Sequence, residues 1–326
     1  MGLLSRGHLS ISVFKLNTKL GLAGIASAAE KDRYPSEATE LSRGWGSTSD
    51  EDSYSRADGV RIKKYSGFKL SPVTNHNKTR ALTLRYYYDS YDTRLIRIFT
   101  SDADWRMISV REAFDVVLLD ENQPDQLTAL VTTRKADEVD TQVRNALSEL
   151  LSEEEPPGSV ATASITEELP ADFFLWLLYM HHKNRRVAPF VKVSSIADMN
   201  SVSVGKRANM SRGVDMSSEV TLSLVGRNRA VFGPARVALT HFAEPEGRFE
   251  LQLYPDGGFH IYTESKYDDK ELRKLPAETS RLRMVQDLWQ TILPPVRAAY
   301  AADAAWRESE HDEFVAWSAT ELKNSL

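Results

Sequence analysis

The sequence predicts an α+β protein of two domains, each built on an antiparallel sheet, the second closed by C-terminal helices. Three observations predict this. Short β-rich segments bounded by turn-formers recur at residues 80–132 and 190–263. Apolar residues at helical spacing fall between and after them. An acidic Pro/Gly stretch at 152–158 separates the two halves, giving domains at 1–155 and 159–326. A chain of 326 residues is long enough for two hydrophobic cores.

Taken in order, residues 9–16 alternate apolar and polar and read as a strand. Residues 20–29 are small and apolar like the core of a secretory leader, but the strand-like segment before them is not a basic leader region, so they belong to the fold. Residues 31–59 are rich in Ser, Asp, Glu, Arg and Gly, with scattered aromatics at Tyr34, Trp45 and Tyr54. Too little apolar surface is available there to offset the entropy of ordering, which predicts a long, exposed, mobile loop. Strands follow at 60–65, 80–88 and 93–99. Leu82 and Leu84 share one face of the second, and Leu95 and Phe99 share a face of the third. Two more short strands, 116–119 and 127–132, flank the turn-former run 122–125. Val139, Val143, Ala146, Leu147, Leu150 and Leu151 then mark a helix.

The second half opens on Pro170 in a first helical turn and continues through 173–180, apolar on every side and therefore a central helix. Strands are expected at 190–193, 220–225, 230–232, 236–242, 249–253 and 259–263. The last two flank Pro255-Asp256-Gly257-Gly258 and form a hairpin. From Glu278 the pattern is helical, with Leu282, Val285, Leu288, Trp289 and Ile292 on one side, a break at Pro294-Pro295, and further helix to about residue 322.

Composition excludes several chemistries. With no cysteine, the chain has no disulfide, thiolate metal site, iron–sulfur cluster or cysteine nucleophile. The longest strongly apolar run, 173–180, is far below the ~20 residues of a membrane-spanning helix. A share of 41% apolar and 27% charged residues matches the soluble globular norm, and the expected location is the cytoplasm with no membrane partner. No Walker A loop, GxGxxG turn, GxSxG elbow or HExxH helix is present.

The remaining motifs are weaker than their spelling. Pro255-Asp256 with Glu264-Ser265-Lys266 spells a PD…ExK nuclease signature, but a strand of eight residues separates the two acids by roughly 26 Å, too far to share a metal. Asp115, Asp120, Glu121, Arg134 and Lys135 are material for a metal site without a defining spacing. Ser203 and Lys206 spell SxxK in a polar loop, without companion elements. His181 and His182 are adjacent on a helix and point about 100° apart. His311-Asp312 lacks further ligands. No metal or cofactor is predicted.

Charge is distributed unevenly. Residues 181–240 carry ten basic against three acidic side chains, in a chain of net charge −5. Cations closing the apolar helix complement its negative end; the others fall in Gly-containing loops, where side chains and amides both meet phosphates. The sequence therefore predicts a non-catalytic protein binding DNA or RNA through Lys183, Arg185, Arg186, Lys206, Arg207, Arg212, Arg227 and Arg229. A metal-dependent nuclease with unassigned acids is the alternative. A protein-binding subunit is a third reading, with Trp289, Trp306 and Trp317 on the C-terminal helices supporting a protein partner or self-association. Arg80, Arg85, Tyr86, Tyr87, Tyr88, Tyr91, Arg94, Arg97, Trp105 and Arg106 interleave cations with aromatics; they act as a stacking platform only if one face of their sheet is open.

Overall fold

A computed structural model of the chain describes residues 8–35, 40–46, 74–76, 79–98, 108–121, 123–162, 168–203, 206–211, 213–226, 231–275 and 277–325. Helices and antiparallel strands mix throughout. The chain divides into two compact units, the first running to Ala163 and the second beginning at Ser164; His8 and Leu9 group with the second.

The first unit contains, in order, β1 (His8–Asn17), α1 (Gly21–Lys31), β2 (Arg43–Gly46), β3 (Thr74–His76), β4 (Thr79–Tyr91), α2 (Thr93–Ile96), β5 (Ser109–Asp120), β6 (Gln126–Val131), α3 (Ala136–Glu138), α4 (Arg144–Leu150) and β7 (Ser159–Thr162). A π-helical turn, Val139–Val143, joins α3 to α4. The sheet order is β7-β1-β6-β5-β4-β2, with β3 also on β4, and every pair is antiparallel. Strand alternation places Leu82, Leu84 and Tyr86 with Phe114, Val116 and Leu118 on one face, against Leu22 and Ile25 of α1 and Leu147 of α4. Tyr87, Ala113 and Tyr34 are buried together on the opposite side.

Three expectations for this unit change. Tyr34 and Trp45, read as exposed loop aromatics within 31–59, are fully buried, and 43–46 is a strand. Trp45 packs edge-on against Tyr86 with ring centroids 4.9 Å apart, so apolar partners far away in sequence supply what the local composition lacks. Residues 93–96 form a helical turn, not a strand, because Asp92 Oδ1 accepts a hydrogen bond from the Arg94 amide at 2.9 Å and caps it. The expected strand at 60–65, together with Tyr54, Phe99, Trp105 and Arg106, lies outside the described residues. Tyr86, Tyr87 and Tyr88 are buried, which closes the sheet face on which a stacking platform depended.

The second unit runs α5 (Ala171–His182), β8 (Arg186–Ala188), β9 (Val191–Ser203), β10 (Lys206–Met210), α6 (Glu219–Gly226), β11 (Val231–His241), β12 (Gly247–Leu253), β13 (Phe259–Tyr262), β14 (Lys266–Tyr267), α7 (Lys270–Arg273), α8 (Ala277–Asp287), α9 (Leu293–Ala302) and α10 (His311–Ser325). Its sheet order is β10-β9-β11-β12-β13; β8 joins the first half of β9, and β14 the start of β12. Phe173 to Met180 are all buried, and α5 packs on β9 and β11. Inward-facing Val193, Ile196, Val237, Leu239, Phe249 and Leu251 line the same core side of the strands. The expected hairpin is present. Leu251 pairs with Ile261, the Tyr254 amide donates to the Gly258 carbonyl at 3.0 Å, and Gly257 takes φ 76, a conformation that favours glycine.

Residues 220–225, expected as a strand, are the helix α6. Its Leu222 and Val225 are buried three residues apart, and it packs against α10, so tertiary contact overrides β-branched composition. The two strands expected at 230–232 and 236–242 are one, β11 (Val231–His241), whose register with β9 shifts between Phe232 and Ala235, Arg236 and Val237, and Ala238 and Leu239. The break expected at Pro294-Pro295 does not occur there. A π-helical segment, Leu288–Ile292, leads directly into the prolines at the start of α9, so the chain stays helical through them and leaves helix at Asp303 instead. Trp289 and Trp306 are buried and offer no surface to a partner; Trp317 is partly covered by Phe314 and His182. Among the described residues no helix is long and apolar enough to cross a membrane.

Candidate polyanion-binding face

The outer face of the second sheet carries a row of cations fixed by strand register. Arg186 on β8 is paired with Lys192 on β9, Lys192 with Thr240 on β11, Thr240 with Arg248 on β12, and Arg248 with Lys266 on β14. Their neighbours along the strands, Val187, Val191, Val193, Leu239, His241, Phe249 and Tyr267, are buried, so period-two alternation puts the row on the outside. Five strands at about 4.8 Å spacing give it a length of roughly 19 Å.

Partners along the row are unequal. Arg248 Nη2 donates to Glu250 Oε1 at 2.8 Å. Arg186 Nη1 donates to the Pro189 carbonyl at 2.9 Å, which orients the guanidinium without neutralising it. Arg186, Lys192 and Lys266 make no ion pair with a carboxylate among the described residues. Like charges directly opposite on paired strands destabilise a sheet, so an anion spanning the row would relieve a repulsion built into the fold.

Aromatic side chains adjoin one end of this row. The Phe242 amide donates to the Phe190 carbonyl at 2.9 Å, extending the β9–β11 ladder beyond the Val191–His241 pair, two residues from Lys192 and Thr240. Phe190 is 55% exposed and Phe242 46%, and the Arg186 guanidinium lies 5.3 Å from the centre of the Phe242 ring. A cleft of about 410 Å³ opens beside Arg186 and Pro189, walled by Trp176, Met180, Ala299 and Asp303. Trp176 Nε1 donates to Asp303 Oδ2 at 2.9 Å, so that acid is already engaged.

The chain matches no protein-family model, and no curated protein matches it.

Of the residues expected to form the site, Arg186 stands in the row. Lys183 caps α5, its Nζ 5.9 Å from the Tyr179 ring. Arg185 is held by Glu310 at 3.0 Å and lies over the same ring at 5.4 Å, which makes it a tie between α5 and the segment before α10. Burial first, and then the hydrogen bond to Glu310, push the Tyr179 hydroxyl up to about 12, so it stays protonated beside these cations. Lys206 and Arg207 sit on β10 opposite Ser203 and Val202, at the far end of β9 from Lys192. Ten residues of strand separate Lys192 from Val202, on the order of 30 Å. Arg212, Arg227 and Arg229 lie outside the described residues. The structure thus brings Arg186 together with Lys192, Arg248 and Lys266, and sets Lys206 and Arg207 at the opposite end of the sheet.

Sequence reasoning counted Lys192 in the basic segment without placing it in the site, and missed Arg248, Lys266, Phe190 and Phe242. Arg248 carried a usable signal, because it is the outward member of an alternating run with Phe249, Leu251 and Leu253 facing in. Lys266 belongs to a two-residue strand whose pairing no local pattern announces.

The acids considered for a nuclease are engaged elsewhere. Asp115 receives Arg85 Nε at 2.6 Å and Nη2 at 3.1 Å. Glu121 accepts from Lys15 at 3.1 Å and Thr128 at 2.6 Å, and Glu264 pairs with Arg236 at 3.6 Å. Asp256 accepts the Gly258 amide at 3.1 Å inside its turn. Among the described residues no group of three His, Asp or Glu side chains is placed to hold a metal ion.

Proposed function

We propose that this chain is a non-catalytic nucleic-acid-binding protein that engages the phosphate backbone through the outer face of its second unit. The observation that carries this reading is the register-fixed row Arg186–Lys192–Thr240–Arg248–Lys266. A rigid sheet presents these charges at set intervals, so little ordering is needed on binding. Phosphate contacts of this kind give affinity without sequence preference and release condensed counterions. Lys206 and Arg207 on β10 lie at the other end of β9 and are not part of this row.

The test is binding of labelled oligonucleotides across a salt series, for the wild type and for Arg186→Ala, Lys192→Ala and Lys266→Ala. Each substitution is expected to weaken binding to all sequences alike. Each should also lower the slope of log affinity against log salt by about 0.7–0.9 per phosphate contact removed. Unchanged affinity and slope in the triple variant refute the reading.

A further inference from the structure

We infer that the ligand of this face is single-stranded nucleic acid, its bases stacked on Phe190 and Phe242 while its phosphates follow the cation row; this rests on the polyanion-binding reading above. Phe190 and Phe242 are the phenylalanines among the exposed large apolar side chains of the described residues, and they are backbone-bonded neighbours two residues from Lys192 and Thr240. Phe190, in the turn between β8 and β9, and Phe242, directly after β11, leave apolar ring surface in water, whereas the core side of the same sheet buries its aromatics: Phe249 on β12 and Phe259 on β13 are fully buried.

Charge complementarity selects among occupants. The Phe242 ring has the Arg186 guanidinium 5.3 Å from its centre, and Lys192 is opposite Arg186. A ligand that brings an anion within reach of the ring, together with a flat apolar group to cover it, fits both features. A phosphate-only polymer supplies the anion and no ring. A duplex supplies phosphates but keeps its base faces inside the stack. A single strand supplies both on one chain, and base–aromatic stacking tolerates any sequence.

The experiment measures anisotropy of a labelled oligothymidine and a labelled oligouridine of about 15 nucleotides, within the usual span of single-strand sites. A duplex of the same length and inorganic polyphosphate serve as comparisons. Wild type, Phe190→Ala, Phe242→Ala, Phe242→Trp and the double Ala variant are compared, with a thermal melt of each to confirm folding. The inference expects tighter binding of single strand than duplex and a loss of about tenfold per Ala substitution. Polyphosphate affinity should be unchanged, and Phe242→Trp should bind with quenching of the new indole.

Equal affinity for duplex and single strand, or oligonucleotide binding indifferent to both rings, overturns the inference while leaving the polyanion reading in place. Loss of a dimer on removing the rings, with oligonucleotide affinity intact, overturns it in favour of a second copy of the chain. If neither oligonucleotides nor polyphosphate bind, the underlying reading falls as well.

Discussion

Arg186 and Lys192 stand directly opposite one another on the paired strands β8 and β9, two cations where the first sheet places a cation and an anion. In that sheet Arg85 faces Asp115 across β4 and β5 at 2.6 Å, buried and hydrogen-bonded twice. The same cross-strand relationship is thus used once for cohesion and once for an exposed positive field.

Lys192→Glu should separate these roles. It turns the opposed cations into an opposite-charge pair, worth about 0.2–1 kcal/mol on a sheet surface, and so raises stability slightly. The same change inserts a negative charge in the middle of the row and should abolish nucleic-acid binding. Urea denaturation and anisotropy on the same preparation check both; a variant that is more stable and still binds contradicts the proposed site.

Arg85 tests the buried counterpart. Its guanidinium is 4% exposed on the side chain and Asp115 2%, so Arg85→Met leaves a buried carboxylate without its charge partner. Burial works against the charged guanidinium, but the Coulombic attraction and hydrogen bonds of Asp115 outweigh it and raise the Arg85 pKa. Removing one partner should cost about 3–5 kcal/mol, whereas Arg85→Met with Asp115→Leu should recover most of that loss. Equilibrium unfolding of both variants decides; equal destabilisation of single and double contradicts the pairing.

The sequence-level reading succeeded where a local pattern and a tertiary requirement coincide. The 249–262 hairpin, the central helix at 171–182 with its apolar run 173–180, and the strands around Leu82 and Val116 are of this kind. It failed where partners lie far apart in the chain. Trp45 looks exposed until Tyr86, some forty residues later, covers it. Thr221, Val220 and Val225 favour a strand until α10 offers a helix-packing surface. The candidate site is of the second type. A contiguous basic segment is visible in the sequence, but the row is assembled from β8, β9, β12 and β14, and contiguous Arg185 is diverted to Glu310. Charge clusters in sequence report composition; strand register decides which charges share a face.

The helical state of residues 219–226 has its own test. A Cβ added at Gly226 would lie 2.8 Å from both the Cα and the N of Ala319 on α10, closer than side chains pack. Gly226→Ala should therefore cost about 1–3 kcal/mol by forcing the two helices apart. Because the obstructing atoms are backbone, Ala319→Gly in the same chain should not restore stability. Chemical denaturation of the single and double variants checks this; rescue by Ala319→Gly would mean that the helices pack differently.

His182 gives the pH dependence. Its ring lies against Trp317 at 4.6 Å and Phe314 at 5.8 Å, and its pKa is lowered by burial first, then by Lys183 and His181. Both aromatic neighbours come from α10, so the neutral imidazole is part of the packing between α5 and α10. The folded state thus holds this proton less tightly than the unfolded chain does, where the group titrates near 6.5. Its stabilising contribution is complete above that value and is lost as pH falls from 6.5 through the lower folded pKa, because the unfolded state binds the extra proton first. Melting temperature should accordingly fall between neutral and mildly acidic pH, and His182→Phe, which keeps an aromatic ring and removes the titration, should flatten that part of the curve. Thermal melts of both proteins from pH 8 to about 5 decide the point: a parallel decline in the variant would place the acid sensitivity on other groups.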